Sequence, residues 1–306
     1  MHFIGVFNKD GGTFRTMDME VFCAGAVQIF AEAGATLDCR TVAGEALLPE
    51  LERAVADPAA DAVLAGGGDG TISAAADLCF RAGKALAILP AGTMNLFARS
   101  LGIPLHLDEA LKALAAGEVQ AVDIGTANSR PFVHQYSVGM HTRLVRIREQ
   151  LAYNSRLGKM AASLRAVVEA ISRPLVFEVE IRTKRGAVRR KASAIAISNN
   201  LLGEGHVPHA DSVDRGVLGV YVVKPMPPLE LARLVVTLPF GAWKQHPLVS
   251  EKEVTELSLR FPRRKSSAQA VIDGELIKLD RQVDLKIHPG ALKVVAPVTQ
   301  AAAVAA

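Results

Sequence analysis

Apolar positions in the first 120 residues alternate between two periods. Short apolar runs at His2–Phe7, Thr36–Thr41, Asp61–Ala65 and Ala85–Leu89 have strand character. Between them, apolar residues recur at helical spacing. Phe22, Ala26, Ile29 and Ala33 share one face of a helix predicted over residues 16–33, with Gly34 at its C-terminal cap. Leu48, Leu51 and Val55 share a face of a second helix that carries Pro49 in its first turn. Ile72, Ala75, Ala76 and Cys79 follow i, i+3, i+4, i+7 in a third, which ends near Gly83. A short helix runs through Arg99, and residues 108–116 form an amphipathic helix closed by Gly117. Strand and helix in alternation predict a parallel, doubly wound sheet.

The pattern changes after Val119. Short β-rich runs appear at Val122–Gly125, Phe132–Ser137, Leu175–Thr183, Ala192–Ser198, Val217–Val223, Thr255–Phe261, Ala268–Ile272 and Gln282–Ile287. Turn signals such as Lys184-Arg185-Gly186 and Asp273-Gly274 punctuate them. Two helices interrupt the β pattern, one over residues 155–172 with Leu157, Met160, Leu164, Val168 and Ile171 on one face, the other over Pro228–Leu238. The expected fold is α/β: an N-terminal doubly wound parallel-sheet domain over residues 1–121 and a C-terminal antiparallel β-sandwich-like domain over residues 122–289. No internal repeat is present, and the alanine-rich tail from Ala301 reads as loose.

Composition agrees with two folded domains. The chain has 306 residues, half of them hydrophobic, which excludes general disorder. A net charge of +4 and a pI near 9.0 fit contact with an anionic partner, nucleotide phosphates or an acidic membrane. Cys23, Cys39 and Cys79 show neither metal-ligand spacing nor a disulfide framework, which fits a reducing cytoplasm. The apolar run at the N-terminus is too short for a signal peptide, and no segment reaches membrane-spanning length. Any membrane contact is therefore expected to be peripheral, at the inner face.

Three basic clusters fall in the second domain: Arg143/Arg146/Arg148, Arg182/Lys184/Arg185 with Arg189/Arg190/Lys191, and Arg263/Arg264/Lys265. They read either as solvated strands and turns or as a surface for anionic headgroups, worth about 1 kcal/mol per residue near the membrane. With aromatics at 5% of the chain, no stacking platform for nucleic acid accompanies them. His134, His141, His206 and His209 follow no metal-ligand pattern, and Phe240 and Trp243 fit a core or a membrane-facing wedge equally.

The candidate chemistry begins at residues 61–71. An apolar strand runs into Gly66-Gly67-Gly68-Asp69-Gly70-Thr71 and out into a helix. Glycines let backbone N–H groups approach an anion, and the helix N-terminus adds a favourable dipole. Asp69 either caps the helix or serves a Mg²⁺ or a polarised hydroxyl nearby. Two more glycine turns, at residues 8–13 and 90–95, also follow strands. In a parallel sheet the C-terminal strand ends share one edge, so three loops are expected to line one nucleotide pocket.

Together these residues resemble the diacylglycerol kinase catalytic-domain family, bacterial lipid kinases related to sphingosine kinases. Gly67-Gly68-Asp69-Gly70-Thr71 is similar to the family's nucleotide-phosphate signature, and Pro90-Ala91-Gly92-Thr93-Met94-Asn95 with Phe97-Ala98-Arg99 to its second. Val122-Asp123-Ile124-Gly125, Arg156-Leu157-Gly158-Lys159, Asn199-Asn200 and Asp273-Gly274-Glu275 follow in the family's order. The first glycine motif is shared with NAD kinases and phosphofructokinases; the combination with Asp-Gly-Glu is more specific. The resemblance covers nearly the whole chain.

The resemblance implies ATP as donor, Mg²⁺ as cofactor and a membrane-lipid hydroxyl as acceptor, with an anionic membrane surface as partner and a homodimer allowed for. It implies that the last segment, residues 290–306, returns to the first domain. Asn8, Gly11, Gly12, Thr41, Gly66, Gly67, Gly68, Asp69, Gly70, Thr71, Thr93 and Asn95 would surround the nucleotide. Glu275 would be the general base, and Asp69 and Asp123 would belong to the Mg²⁺ and water network. Asp214 with the Val217 carbonyl resembles a second, structural Mg²⁺ site. Two departures stand out. The second signature usually continues Asn-Asp, and here Asn95 is followed by Leu96; the first loop reads Asn-Lys-Asp-Gly-Gly rather than Asn-Pro-x-x-Gly. A nucleotide- or lipid-binding protein with weak or no kinase activity, and an NAD-kinase-like soluble kinase, remain as alternatives.

Overall fold

The computed structural model describes residues 1–151, 176–204, 207–230 and 242–297. The helix expected over 155–172 with its Arg156–Lys159 motif, most of that over 228–238, His206, Phe240 and the alanine tail lie outside the described residues. The chain divides into two units. Unit 1 comprises Met1–Ile124, Ser212–Arg215 and His288–Ala306; unit 2 comprises Gly125–Asp211 and Gly216–Ile287.

Unit 1 is built on β1 (His2–Asn8), β2 (Thr36–Val42), β3 (Ala62–Gly67) and β4 (Ala85–Pro90). Parallel pairing sets them in the order β2-β1-β3-β4, and the end of the last strand, β16 (Gln282–Ala296), adds parallel to β4 through Val294 and Leu86. Every residue of β3 and β4 is buried, which is why they read as continuous apolar runs rather than alternating ones. The register matters most. Phe7 lies opposite both Thr41 and Gly66, and Gly67 lies opposite Pro90, so β1, β3 and β4 end level with one another.

The helices of unit 1 are α1 (Met19–Glu32), α2 (Leu47–Ala56), α3 (Asp69–Ala82), α4 (Leu96–Ser100) and α5 (Leu107–Ala115). α1 starts later than its apolar stripe suggests. Residues Gly12–Thr16 form a 3-10 turn, and the Asp18 carboxylate then caps α1 by accepting the Glu20 and Val21 N–H groups at 3.0 and 3.2 Å. Of the predicted stripe, Phe22 and Ala26 are buried, Ile29 is half-buried and Ala33 is exposed, while Phe30, outside it, completes the buried face; Phe22 packs edge-on to Phe7 at 5.2 Å, and Phe30 to Phe3 at 4.9 Å. α3 ends as expected at Gly83, in the left-handed conformation with φ +66°.

Unit 2 holds two antiparallel sets of strands. β12 (Val249–Val254), β11 (Leu218–Val223), β10 (Ala194–Asn199), β7 (Gln135–Gly139), β14 (Gln269–Ile272) and β15 (Glu275–Lys278) pair in that order. The first part of β16 pairs with β13 (Glu256–Arg260), then β8 (Phe177–Thr183) and β9 (Gly186–Ala192). β5 (Glu118–Ala127) pairs with β6 (Arg130–Phe132). Inward side chains from both sets, among them Tyr136, Ile195, Val220, Val179, Leu259 and Leu285, make one core, as a β-sandwich does.

The structure adds elements that periodicity did not reveal. β9 exposes all its residues except the last, so it carries no apolar face to recognise. β12 and β15 are short and half-polar. The basic segment Met140–Leu151 is a helix, α6, rather than strand or turn. The cysteine expectation is also corrected. α1 packs on β2, and Cys23 and Cys39, 16 residues apart in sequence, form a disulfide, while Cys79 alone is free and buried. The argument for a reducing compartment from unpaired thiols therefore falls away.

A cross-link closing a loop of this length removes about 3 kcal/mol of unfolded-state entropy. Reduction, or the double variant Cys23→Ser/Cys39→Ser, is expected to lower the stability of unit 1 by about that amount. Denaturant unfolding of the oxidised and reduced chain checks it; coincident midpoints would refute it.

Candidate active site

In unit 1 the level strand ends bring the three glycine turns onto one edge. Ala91 N donates to Gly67 O at 3.1 Å, and Thr13 N donates to Ala91 O at 2.9 Å, so turn 90–95 is held between the other two. The approach is close enough to require glycine. A Cβ on Gly12, where φ is +53°, would lie 1.7 Å from the Ala91 carbonyl oxygen, and one on Gly92 would lie 2.6 Å from the Gly68 Cα. Within the first turn, Asn8 O accepts Gly11 N, and Asn8 Oδ1 accepts Asp10 N at 3.1 Å. The Asp10 carboxylate accepts Gly44 N at 2.8 Å. Thr41 is exposed on β2 beside Phe7, at the same edge, and Thr93 is exposed in its turn.

Gly66 and Gly67 end β3, and Gly68 is the N-cap of α3. Having no side chain, Gly68 leaves the first-turn N–H groups of Asp69, Gly70 and Thr71 uncapped from that position, which is the arrangement that receives an anion. Asp69 does not cap its own helix. Its two carboxylate oxygens accept the Asn95 and Leu96 N–H groups, at 3.2 and 2.8 Å, so it caps α4 from across the edge. Asn95 is free for another task because it sits in the left-handed region at φ +51°; its amide closes the turn on Gly92 N and O, both at 2.9 Å.

In unit 2, Asp273-Gly274 is a two-residue hairpin loop between β14 and β15. Ile272 pairs with Glu275, and both loop residues have positive φ, +45° and +89°, as the tightest hairpin turn demands. The turn does more than reverse the chain. Asp273 is 6% exposed, and its carboxylate accepts three backbone N–H groups: Val133 at 2.8 Å, His134 at 2.9 Å and Gln135 at 2.9 Å. Asn199 grips the same stretch, with its N–H on His134 O and its amide on Val133 O. Glu275 stands exposed at the start of β15, at the end of this braced hairpin. The Asp-Gly pair signalled the turn from sequence; nothing local signalled the carboxylate's three partners, 138 to 140 residues away.

Asp123 is 1% exposed. Its N–H donates to Val213 O at 2.7 Å and its Oδ1 accepts Gly290 N at 2.9 Å, so it ties the returning C-terminal segment into unit 1. Asp214 is exposed and its carboxylate accepts the Ser212 hydroxyl, while the Val217 carbonyl accepts Asn200 N at 3.0 Å. Among the described residues no three His, Cys, Asp or Glu side chains gather as a metal cage. A Mg²⁺ carried on nucleotide phosphates needs only one or two carboxylates, and each Asp69 oxygen keeps a lone pair beyond its amide bond, so the donor chemistry of the edge fits such an ion.

Burial pushes the His134 imidazole down to about 3, with His141 and His209 adding repulsion between like charges. His141 Nδ1 is 2.6 Å from the Ser137 hydroxyl. Burial also pushes the Cys79 thiol up to about 12, which keeps it protonated and unreactive.

Residues 2–127 match the diacylglycerol kinase catalytic domain, and residues 136–296 match the YegS C-terminal NAD kinase beta sandwich-like domain. An uncharacterized protein of Synechocystis is 30% identical over 244 residues, which is 77% of this chain and 55% of that protein. The lipid kinase YegS of Escherichia coli K12 is 42% identical over 87 residues, 27% of this chain and 29% of that protein. The chain thus spans about half the length of the first relative and under a third of the second. A crystal structure of a diacylglycerol kinase from Bacillus anthracis superposes with a TM-score of 0.70 at 17% identity, covering 97% of both chains, which is a likeness of fold.

Two measurements check this geometry. Asp273→Asn keeps the shape but leaves one acceptor oxygen and an amide N–H₂ facing three donors; it should cost about 2 kcal/mol in urea unfolding. His134 is neutral in the folded chain and takes a proton near its ordinary 6.5 only when unfolded. Protons therefore favour the unfolded state below that pH. Stability should fall as pH drops from 6.5, by up to ~1.4 kcal/mol per unit, and His134→Gln should flatten the profile.

Proposed function

Because the chain belongs to the family that joins a diacylglycerol kinase catalytic domain to a YegS C-terminal sandwich domain, we propose that it is an ATP-dependent lipid kinase. The observation that supports this most is the unit 1 edge, where three loops meet at the uncapped first turn of α3. Phosphoryl transfer needs positioning and charge neutralisation more than covalent chemistry, and N–H groups at a helix start supply both. In this reading Asn8, Gly11, Gly12, Thr41, the 66–71 loop, Thr93 and Asn95 hold the nucleotide. Mg²⁺ bound with ATP would neutralise charge on the phosphates, and Asp69 would be the carboxylate that meets it. Asp123 would belong to the Mg²⁺ and water network, and Asp214 with the Val217 carbonyl to a second, structural Mg²⁺ site.

The acceptor is a lipid alcohol, a poor nucleophile at neutral pH. Glu275 takes the hydroxyl proton while the oxygen bonds to the γ-phosphorus and the bond to the bridging oxygen breaks, releasing ADP. Asp273 does not react; it positions Glu275. The enzyme would work as a peripheral protein at the inner membrane face. No described helix is long and apolar enough to cross a membrane.

Leu96 supports a second reading, a nucleotide binder with weak turnover. The acid expected there is absent, and both Asp69 oxygens are already engaged by Asn95 and Leu96 amides. An NAD-kinase-like activity is the third possibility that the sandwich domain raises.

Labelled phosphate from ATP should enter an extracted lipid, identified by mass spectrometry. Glu275→Gln should lower the rate by roughly 10²–10⁴-fold with the fold intact. Undiminished transfer in that variant would sink the lipid-kinase mechanism. ATP binding without transfer, or turnover that appears only with Leu96→Asp, supports the second reading, and label in NADP the third.

A further inference from the structure

One cavity of unit 2 has no part in the reading above. It encloses about 540 Å³ between the end of β7, α6, the start of β8 and the loop 261–269. Its apolar walls include Val138, Phe177, Phe261 and Leu279. Its rim carries Arg143, Arg146, Lys191, Arg263, Arg264 and Lys265. Among the described residues that line it, Glu178 is the only carboxylate, and it is paired with Arg263 at 3.3 Å. Neither Asp273 nor Glu275 lines it.

One rim residue lacks a partner where it is costly to lack one. The Arg264 Nε is buried and makes no hydrogen bond among the described residues, while its Nη1 donates to the Lys265 carbonyl at 3.4 Å. A buried guanidinium N–H left unsatisfied is a deficit that a bound anion removes, and an arginine fork suits a phosphate better than a carbonyl.

We infer that this cavity takes the phosphate headgroup of an anionic glycerophospholipid, with Arg264 on the phosphate and the first carbons of the lipid against Phe177, Phe261 and Leu279. The two halves of the cavity select this occupant together. A neutral acylglycerol would offer the buried Arg264 guanidinium no counter-charge. A small soluble phosphate ester would leave the apolar walls wet. The phospholipid at a bilayer surface satisfies both, and the cavity is of ordinary size for such a ligand. The site is a docking pocket that grips one lipid, distinct from diffuse attraction between a basic face and a membrane. It does not depend on the kinase assignment, since binding is read without turnover.

The test uses the full chain with vesicles of phosphatidylcholine alone or mixed with phosphatidylglycerol. Binding should require phosphatidylglycerol. Arg264→Gln should weaken it about tenfold with an unchanged melting profile. The pair Lys184→Gln/Arg185→Gln, which removes as much charge or more outside the cavity, should weaken it less. Equal losses in the two variants mean diffuse attraction and overturn the pocket. Binding of soluble glycerol phosphate as tight as that of vesicles overturns the membrane lipid as occupant. If Arg264→Gln unfolds, the wild-type chain decides. A phosphatidylglycerol bearing a photoreactive group near the head should label peptides spanning 138–146, 176–178 or 261–269; labelling only elsewhere overturns the site.

Discussion

At the edge of unit 1, backbone meets backbone at separations that leave no room for a side chain. Gly12 faces the Ala91 carbonyl and Gly68 faces Gly92. Everything about the candidate donor site depends on that approach. It requires that β1, β3 and β4 end in register, which parallel pairing of buried strands provides. It requires glycine where φ is positive or a Cβ would collide. It also explains Asp69, whose carboxylate reaches the amides of Asn95 and Leu96 only because turn 90–95 is drawn so close. The result is a helix start whose own N-cap is a glycine, beside a carboxylate already committed to the neighbouring turn.

The Asp273-Gly274 hairpin of unit 2 follows the same logic with different parts. Asp273 and Glu275 are two residues apart and have opposite surroundings. One is buried and surrounded by N–H donors; the other stands in solvent at the beginning of a strand. A carboxylate saturated with backbone donors is a poor base and a good brace. An exposed one on a braced hairpin is open to solvent and held in place by its neighbours.

Charge in unit 2 is distributed unevenly for a physical reason. On the exposed hairpin β8–β9, Arg182 and Arg189 both pair with Glu180, which holds its carboxyl below the usual range, and Lys184 pairs with Glu256. Cations there blunt an edge strand that would otherwise invite another strand. Among the described residues that line the cavity, the cations far outnumber the one carboxylate. The same residue types thus serve a structural end in one place and, at Arg264, leave a buried N–H with no acceptor among the described residues in the other.

Much of this was legible in the chain alone. Period and burial made β1, β3, β4 and the stripes of α1 and α3 readable, because a buried strand is apolar throughout and a surface helix on one face only. The glycine turns and the Asp-Gly hairpin were legible because their backbone angles restrict the residues allowed. β9, β12 and β15 were not, since exposed edge strands carry no apolar period; α6 was passed over for its arginines, although Met140, Leu144, Ile147 and Leu151 recur at helical spacing. The Cys23–Cys39 pair, the Asp69 clamp and the Asp273 brace were decided only by tertiary structure. Each joins groups that local pattern leaves unconnected, 26 or 27 residues apart for Asp69 and up to 140 for Asp273. Residue type at a position says that a carboxylate is available. Which donors it meets is set by the packing of strands and turns far along the chain.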